Sequence, residues 1–301
     1  MSFFVLGFVP RWLNQNSWAD VVTSTEPQTI ESASPSAQPP PPTLRVHFID
    51  VGQGDSILLE MESENMLIDA GKKGEEVTVT NYLKTEEIKE LRYVVATHPD
   101  SDHIGGLAFG VLSAFEIDEV IMPKLTNENQ PNSQTYKRFC EELDALKQNG
   151  KKISIARPEQ MLNLGDATLR VLGPLTETPK DTNNNSVVLQ LKYGDCTMLF
   201  MGDAEKKEET ALAEQYGDAL RCDLLKAGHH GSNTSSNANF LAYAQPKDAV
   251  ISCGIDNSYN HPGTKAIARL AAQNTTIWRT DVEGNIVFAC DGKTIWHEDG
   301  A

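Results

Sequence analysis

Four side chains of metal-binding type lie within six residues, directly after an apolar run. The run YVVAT is followed by HPDSDHIGG, which contains His98, Asp100, Asp102 and His103. Imidazole and carboxylate groups at this density repel one another or stay unsatisfied unless an ion neutralises them. Taken alone, the motif also fits an Asp-rich helix N-cap with two incidental histidines. Metal binding is the chemistry that this spacing favours.

Three further loops carry residues of the same type. Asp203 follows the apolar run MLFMG, His229 and His230 follow LLKAG, and His261 lies in SYNHPG after VISCG. Folds of strands and helices assemble their sites from loops at one edge of a sheet, so we expect these residues to join the first motif. Five of the seven histidines occupy such loops, which favours one shared site over chance. The other two, His47 and His297, are interpreted as ordinary core or surface residues.

Short apolar runs alternate with helical segments from Thr43 onward. LRVHFIDV, SILLEM and NMLIDAG predict the first strands, and the segment from Val77 to Leu91 predicts a helix before the strand YVVATH. A second helix is predicted where apolar residues recur at helical spacing before Gly150. Because nearly all the predicted strands are strongly apolar, we expect sheets covered by helices, in one domain over residues 43–301.

The charge of the chain limits its possible partners. Lys and Arg number 26 against 42 Asp and Glu, which gives a net charge of −16. This balance disfavours a protein that coats duplex DNA or an anionic membrane with a broad basic face, although metal ions can create a small cationic site. No run of eighteen apolar residues occurs, so no membrane span is expected. We expect a monomer.

Residues 1–42 differ in composition from the rest of the chain. They begin with the apolar stretch MSFFVLGFV, and 6 of the 20 residues from Thr23 to Pro42 are proline. We expect a disordered spacer rich in Pro, Ser and Thr, typical of exported proteins, and hence an extracytoplasmic location. A start codon inside a longer gene is the alternative origin of the apolar stretch. The five cysteines form no CxxC pair, predict neither a disulfide framework nor a thiolate metal site, and leave the compartment open.

The motifs together resemble those of the metallo-β-lactamase superfamily, and more closely the metallo-β-lactamase-like domain of the ComEC-type competence DNA-uptake proteins. The matching stretches are FIDVGQGDS (48–56), LIDAG (67–71), THPDSDHIGG (97–106), NNNSVVL (183–189), FMGDAE (200–205), LLKAGHHGS (224–232), NSYNHP (257–262) and RTDVEG (279–284). The resemblance implies an α/β fold, a four-layer αββα sandwich, with a two-metal site at one edge. The chain resembles a free-standing form of that domain, one without the membrane channel.

The resemblance also implies a set of metal ligands. These are His98, Asp100, Asp102 and His103 of the signature, Asp203 as the carboxylate between two metal ions, and His229 as the late histidine. Asp100 and the stretch Asn183–Asn185 stand where most members of the superfamily have histidines. Oxygen ligands at these positions favour manganese relative to zinc. The expected cofactors are therefore two divalent ions, Zn²⁺ or Mn²⁺.

Three residues are predicted to act in catalysis. Asp102 is positioned to orient the nucleophile as well as to bind metal, and His230 or His261 protonates the leaving group or holds a substrate oxygen. For His230, packing beside a ligand is the alternative. Further residues are grouped as support for the site or as substrate contacts: Asp55, Asp69, Asn184, Lys226 and Ser232. Among these, Asp55 is interpreted mainly as a turn residue, and Lys226 as a solvated lysine rather than part of a cationic rim.

Three functions are compatible with this sequence. The resemblance implies a metal-dependent phosphodiesterase, a nuclease that acts on single-stranded or frayed DNA. A second hypothesis is hydrolysis of another ester or amide, such as a phosphocholine-type cell-wall ester, a thioester or a lactam. A third is a non-catalytic binding module with the same fold, which the complete set of metal-competent side chains disfavours.

Overall fold

A computed structural model describes residues 44–298, apart from residue 63 and residues 177–180. The spacer predicted for residues 1–42 lies outside this described part. The described residues form fifteen strands: β1 Leu44–Phe48, β2 Ile57–Met61, β3 Glu64–Ile68, β4 Glu90–Val95, β5 Glu116–Met122, β6 Lys152–Ile155, β7 Met161–Leu164, β8 Ala167–Gly173, β9 Val188–Tyr193, β10 Cys196–Phe200, β11 Leu224–Lys226, β12 Asp248–Ile251, β13 Thr276–Arg279, β14 Ile286–Cys290 and β15 Ile295–His297.

The strands form two mixed sheets. The first has the order β15-β14-β1-β2-β3-β4-β5-β6, and the second has the order β13-β12-β11-β10-β9-β8-β7. The strands β3 to β6 are parallel, as are β10 to β13. Parallel strands need crossover connections, which places helices on the outer faces of the sheets.

The helices are α1 Glu76–Thr85, α2 Ser101–Gly106, α3 Leu112–Ala114, α4 Gln134–Gln148, α5 Lys206–Tyr216, α6 Ala238–Ala244, α7 Thr264–Ala271 and α8 Thr280–Glu283. A π-helical turn, Leu107–Val111, joins α2 to α3, and 3₁₀ segments cover Asn183–Asn185, Gly217–Leu220 and Gly228–Gly231. Within the described ranges, no helix is both long and apolar enough to cross a membrane.

Three apolar clusters define the four layers. The central cluster fills the space between the sheets, where the Phe48 ring lies 6.5 Å from those of Phe200 and Phe288. The second cluster joins the outer face of the first sheet to α1, α2 and α4, and the third joins the second sheet to α5, α6 and α7. Strand β2 shows how one strand serves two layers, because Ile57 and Leu59 face the centre whereas Leu58 faces the helices. The αββα sandwich expected from the sequence is therefore confirmed.

The local structure differs from the sequence-based expectation in several places. The first helix ends at Thr85, and Leu91 belongs to β4, because the chain turns at Glu87 with a φ of 57°. Strand β7 and helix α6 were not predicted. Strand β7 has only four residues, too few for its alternation of exposed and buried side chains to stand out in the sequence.

The topology brings the predicted site loops to one edge. The first motif follows the carboxyl end of β4, and the loops that carry Asp203, His229 and His261 follow β10, β11 and β12. A backbone hydrogen bond from the His229 amide to the Gly202 carbonyl (3.1 Å) joins the loops after β11 and β10. Another, from the Val187 amide just before β9 to the Thr97 carbonyl (2.8 Å), joins the second sheet to the segment that precedes the first motif. Residues far apart in sequence thus meet where parallel strands end.

Candidate metal centre

Asp69 fixes the orientation of His103. It follows β3 and is fully buried; its carboxylate accepts hydrogen bonds from the Thr97 amide (2.8 Å) and the Thr97 hydroxyl (2.6 Å). The same carboxylate lies 2.7 Å from Nδ1 of His103, which occupies α2. A carboxylate on one ring nitrogen directs the other nitrogen toward a metal, so Nε2 of His103 is the atom available for binding.

The carboxylate of Asp203 lies among the imidazole rings of four histidines. Its Oδ1 is 3.3 Å from Nε2 of His103, and its Oδ2 is 3.4 Å from Nε2 of His230. Its Oδ2 is also 3.8 Å from Nε2 of both His98 and His229. One buried carboxylate therefore faces four imidazole nitrogens, which is the arrangement expected of a carboxylate shared by two ions.

The two remaining carboxylates of the HPDSDH motif lie beside different histidines. Oδ2 of Asp100 lies 3.8 Å from Nε2 of His98, whereas Oδ2 of Asp102 lies 3.4 Å from Nε2 of His230. Both side chains are partly exposed, at 40% and 32%. The site consequently has a buried floor of histidines and an open side lined by carboxylates.

A cation fits this donor set. Nε2 of His98 and Oδ1 of Asp203 are buried and make no hydrogen bond to any described residue. Ligand-type atoms of Asp55, His103, Asp203 and His230 also lie within 4.8 Å of one another. Buried polar atoms without partners are costly, and a divalent ion at these atoms would remove that cost.

The charges in the site compensate one another strongly. Burial by itself lowers the pKa of His230, but the carboxylates of Asp203 and Asp55 outweigh burial and raise this pKa well above its ordinary value. The pKa of His103 is raised in the same way by Asp203 and Asp69. The carboxylates therefore concentrate negative charge around the imidazoles, in the place where metal charge would act.

The two consecutive histidines have different partners. Both adopt left-handed backbone conformations, with φ of 46° for His229 and 51° for His230. Nδ1 of His229 lies 2.8 Å from Oε1 of Glu205, whereas Nδ1 of His230 lies 3.0 Å from the Ser252 carbonyl. Each histidine therefore presents Nε2 to Asp203. The resemblance implied His229 as the ligand, and the chemistry of imidazole suggested a catalytic role for His230, yet Nε2 of His230 is the closer to Asp203.

Lys226 and Asp55 differ from the interpretation made from the sequence. Lys226 is fully buried rather than solvated, and its Nζ lies 2.6 Å from Oδ2 of Asp55. Oδ1 of Asp55 lies 3.2 Å from Nδ1 of His230. The interpretation of Lys226 as a surface lysine is wrong, because the side chain extends between the sheets to neutralise a buried carboxylate. Asp55, which belongs to the GQGD turn, also supports the site.

His261 lies at the rim. Its ring centroid is 5.2 Å from that of His229 and 6.2 Å from that of His230, and its Nδ1 lies 3.4 Å from Nε2 of Gln53. Burial and the two neighbouring histidines lower the pKa of His261 to about 4. His47, by contrast, is buried away from these motifs beside Tyr82 and Glu60.

Asn184 and Ser232 stabilise the loops of the site. Oδ1 of Asn184 accepts hydrogen bonds from the amides of Glu205 (3.1 Å) and Glu208 (3.0 Å). The Ser232 hydroxyl pairs with that of Thr234 at 2.8 Å. Glu205, which orients His229 through Nδ1, was not predicted from the sequence. Its only sequence signal was its place in FMGDAE, two residues after Asp203.

Comparisons with known proteins agree with this geometry. A family model described as the metallo-β-lactamase superfamily matches residues 49–255. ComE operon protein 3 of Bacillus subtilis (strain 168) is 30% identical over 262 residues, which cover 81% of this chain and 32% of that protein. Competence protein ComA of Neisseria gonorrhoeae is 30% identical over 285 residues, covering 94% of this chain and 37% of that protein. The chain spans about a third of the length of these curated relatives.

A solved structure shows the same fold at low sequence identity. CmlA, a diiron β-hydroxylase from Streptomyces venezuelae, superimposes with a TM-score of 0.53 and 12% identity, over 84% of this chain and 55% of that one. The family match includes the HPDSDH motif, Asp203 and both consecutive histidines. On this match the chain belongs to the metallo-β-lactamase superfamily, and its curated relatives include competence proteins of the ComEC type.

Proposed function

We propose that this protein is a metal-dependent phosphodiesterase that acts on DNA. The observation that carries the proposal is the position of Asp203, whose carboxylate faces the Nε2 atoms of four histidines. The similarity to competence proteins supports a DNA-related substrate. The open, carboxylate-lined side of the centre leaves room for a polymer to approach.

The side chains form two ligand groups that share Asp203. Asp102, His103 and His230 form one group, because Nε2 of His230 lies 3.4 Å from Oδ2 of Asp102 and 3.3 Å from Nε2 of His103. His98 and Asp100 form the other group, and we assign His229 to it. When bound, two divalent ions would supply Lewis acidity toward a phosphoryl oxygen and an activated water. The carboxylate oxygen of Asp100 favours manganese over zinc in the second group.

The remaining residues orient these ligands. Asp69 fixes His103, Glu205 fixes His229, and the Ser252 carbonyl with Asp55 fixes His230. Asp102 is partly exposed beside Nε2 of His230, so its carboxylate is placed to orient an attacking water as well as to bind metal. Such prior orientation removes the need for reorganisation during reaction.

The test compares Asp102→Ala with the parent and with Asp144→Ala. Asp144 is an exposed acid on α4, outside the site, so it is the matched control. We measure metal content, melting temperature and cleavage of single-stranded and duplex DNA with added Mn²⁺ or Zn²⁺. We expect Asp102→Ala to stay folded, to lose bound metal and to lose cleavage by several orders of magnitude. Parent-like cleavage by Asp102→Ala would overturn the two-metal assignment.

The same assay separates the other hydrolase chemistries. A lactam, a thioester and a phosphocholine ester are offered to the parent beside DNA. Metal binding with hydrolysis of one of these and no cleavage of any phosphodiester would overturn the DNA assignment. Metal binding with no turnover of any substrate would instead support a binding module.

A further inference from the structure

The loop between β12 and α7 exposes two apolar side chains beside the metal centre. Ile255 is 76% exposed and Tyr259 is 64% exposed, and the same loop carries His261. Large apolar side chains exposed next to a polar site indicate a contact for a ligand with an apolar surface. We call Ile255 and Tyr259 the rim pair.

Tyr259 is held in place although it is exposed. Its ring stacks on that of His261, with centroids 5.8 Å apart and planes at 25°. Asn257 organises the loop, because its Oδ1 accepts hydrogen bonds from the amides of Tyr259 (3.2 Å) and His261 (3.0 Å). Its Nδ2 donates to the Gly254 carbonyl at 2.8 Å. The outer face of the Tyr259 ring is therefore a preorganised surface.

A groove of about 610 Å³ connects the rim pair to the metal centre. Its lining includes Asp102, Gln53 and, on the side of α2, Lys72 and Ser101. Lys72 is exposed and makes no salt bridge with any residue that the structure describes. One groove thus carries an aromatic surface, a free cation and a proposed metal ligand, in a chain whose net charge is −16.

We propose that this groove binds an unpaired nucleotide next to the scissile phosphate, with its base stacked on Tyr259 against Ile255 and a backbone phosphate near Lys72. This proposal rests on the proposed function. Every nucleobase has a π-face, so an exposed aromatic ring accepts single strands with little sequence preference. In a duplex those faces are already stacked, so the groove selects single-stranded or frayed DNA. The rim pair is thereby assigned a role in specificity.

The experiment measures binding rather than turnover. Fluorescence anisotropy with added Mn²⁺ compares a labelled phosphorothioate oligothymidylate, whose linkages resist hydrolysis, with an abasic strand of equal length and linkage. We expect the parent to bind the base-bearing strand roughly tenfold more tightly or better. Tyr259→Ala should remove this preference, and Tyr259→Phe should keep it. Tyr243→Ala, an exposed tyrosine on α6, is the matched control and should behave like the parent.

Lys72 is tested by salt dependence. Lys72→Ala should weaken binding of both strands and reduce the slope of log affinity against log salt by about 0.7, as expected for one lost phosphate contact on a single strand. Lys137→Ala, an exposed lysine on α4, should leave the slope unchanged. An unchanged slope in Lys72→Ala would remove Lys72 from the proposal.

The outcomes separate this proposal from the proposed function. Equal affinity of the parent for base-bearing and abasic strands, or an unchanged preference in Tyr259→Ala, would overturn the base site even if DNA is cleaved. Preferential binding of bases without cleavage of unmodified DNA would overturn the phosphodiesterase and leave the base site standing. Tighter binding of duplex than of single strands would also contradict the selectivity proposed here.

Discussion

Nζ of Lys226 lies 2.6 Å from Oδ2 of Asp55, and both side chains are buried. The carboxylate reaches His230 with its other oxygen, at 3.2 Å from Nδ1. Lys226 lowers the pKa of Asp55 against the effect of burial, which raises it. A buried ion pair contributes little net stability, because desolvation offsets the attraction. We therefore interpret this pair as a device that keeps an ionised carboxylate behind His230.

Removing one partner of this ion pair should lower the free energy of unfolding far more than removing both partners together. Lys226→Met leaves an uncompensated buried carboxylate, and we expect the free energy of unfolding to fall by about 3–5 kcal/mol. The double variant Asp55→Asn/Lys226→Met should recover much of that loss. Urea unfolding of the parent, both single variants and the double variant completes the cycle. Additive losses would show that the two side chains act independently.

Glu209 should make stability depend on pH. It is fully buried on α5 and accepts hydrogen bonds from the Ser236 amide and from the amide and side chain of Asn237. Burial outweighs these donors and nearby Arg269, and raises its pKa from 4.5 to about 7. The folded protein then binds this proton more tightly than the unfolded chain does. The contribution of Glu209 to stability is accordingly full below about pH 4.5 and is lost as the pH rises toward about 7.

The measurement for Glu209 is a difference between two proteins. Glu209→Gln carries no titrating group, so the stability of the parent relative to Glu209→Gln should fall by up to about 3 kcal/mol between pH 4.5 and pH 8. Unfolding in urea at several pH values provides these free energies. A difference that is constant across this range would contradict the raised pKa of Glu209.

Some features of the site follow from sequence and others do not. Residues of metal-ligand type directly after apolar runs predicted that the site lies at the edge where β4, β10, β11 and β12 end. The carboxyl ends of parallel strands meet at one edge of a sheet, so this prediction does not depend on the side chains within the strands. The burial of Lys226 was not predictable, since a lysine after two leucines usually reaches solvent. His229 and His230 make different contacts because both adopt left-handed backbone conformations, and no side-chain pattern encodes that turn.

The approach of Gly54 to α2 predicts another sensitive position. Gly54 has a φ of 145°, and a Cβ there would lie 2.4 Å from the carbonyl oxygen of Asp102. Gly54→Ala should shift the start of α2, lower the melting temperature and reduce metal binding. Gly52→Ala is the matched control, because Gly52 has a φ of 65° but open space around its Cβ position. It should show only the backbone strain, of about 1 kcal/mol. Equal effects of the two substitutions on metal binding would mean that the contact with Asp102 is unimportant.

The two consecutive histidines should differ in their effect on metal binding. Nε2 of His230 lies 3.4 Å from oxygens of both Asp102 and Asp203, whereas Nε2 of His229 lies 3.8 Å from Asp203. His230 is buried and His229 is partly exposed. A buried nitrogen that faces two carboxylates has few alternatives to a cation, so we expect His230→Ala to lose one ion outright. His229→Ala should weaken binding of the other ion without abolishing it.

A substitution at Glu205 distinguishes the loss of a metal ligand from the loss of orientation at His229. Its Oε1 lies 2.8 Å from Nδ1 of His229 and accepts a hydrogen bond from the Thr234 hydroxyl at 2.8 Å. Glu205→Gln retains the shape of the side chain and removes its charge. We expect metal affinity to fall by about 10–100-fold, and only for the ion assigned to His98, Asp100 and His229. Titration of metal-free protein with Mn²⁺ against a competing chelator measures both ions for each variant. Loss of the same ion in His229→Ala and His230→Ala would contradict the division of the site into two groups, since these histidines would then serve a single cation.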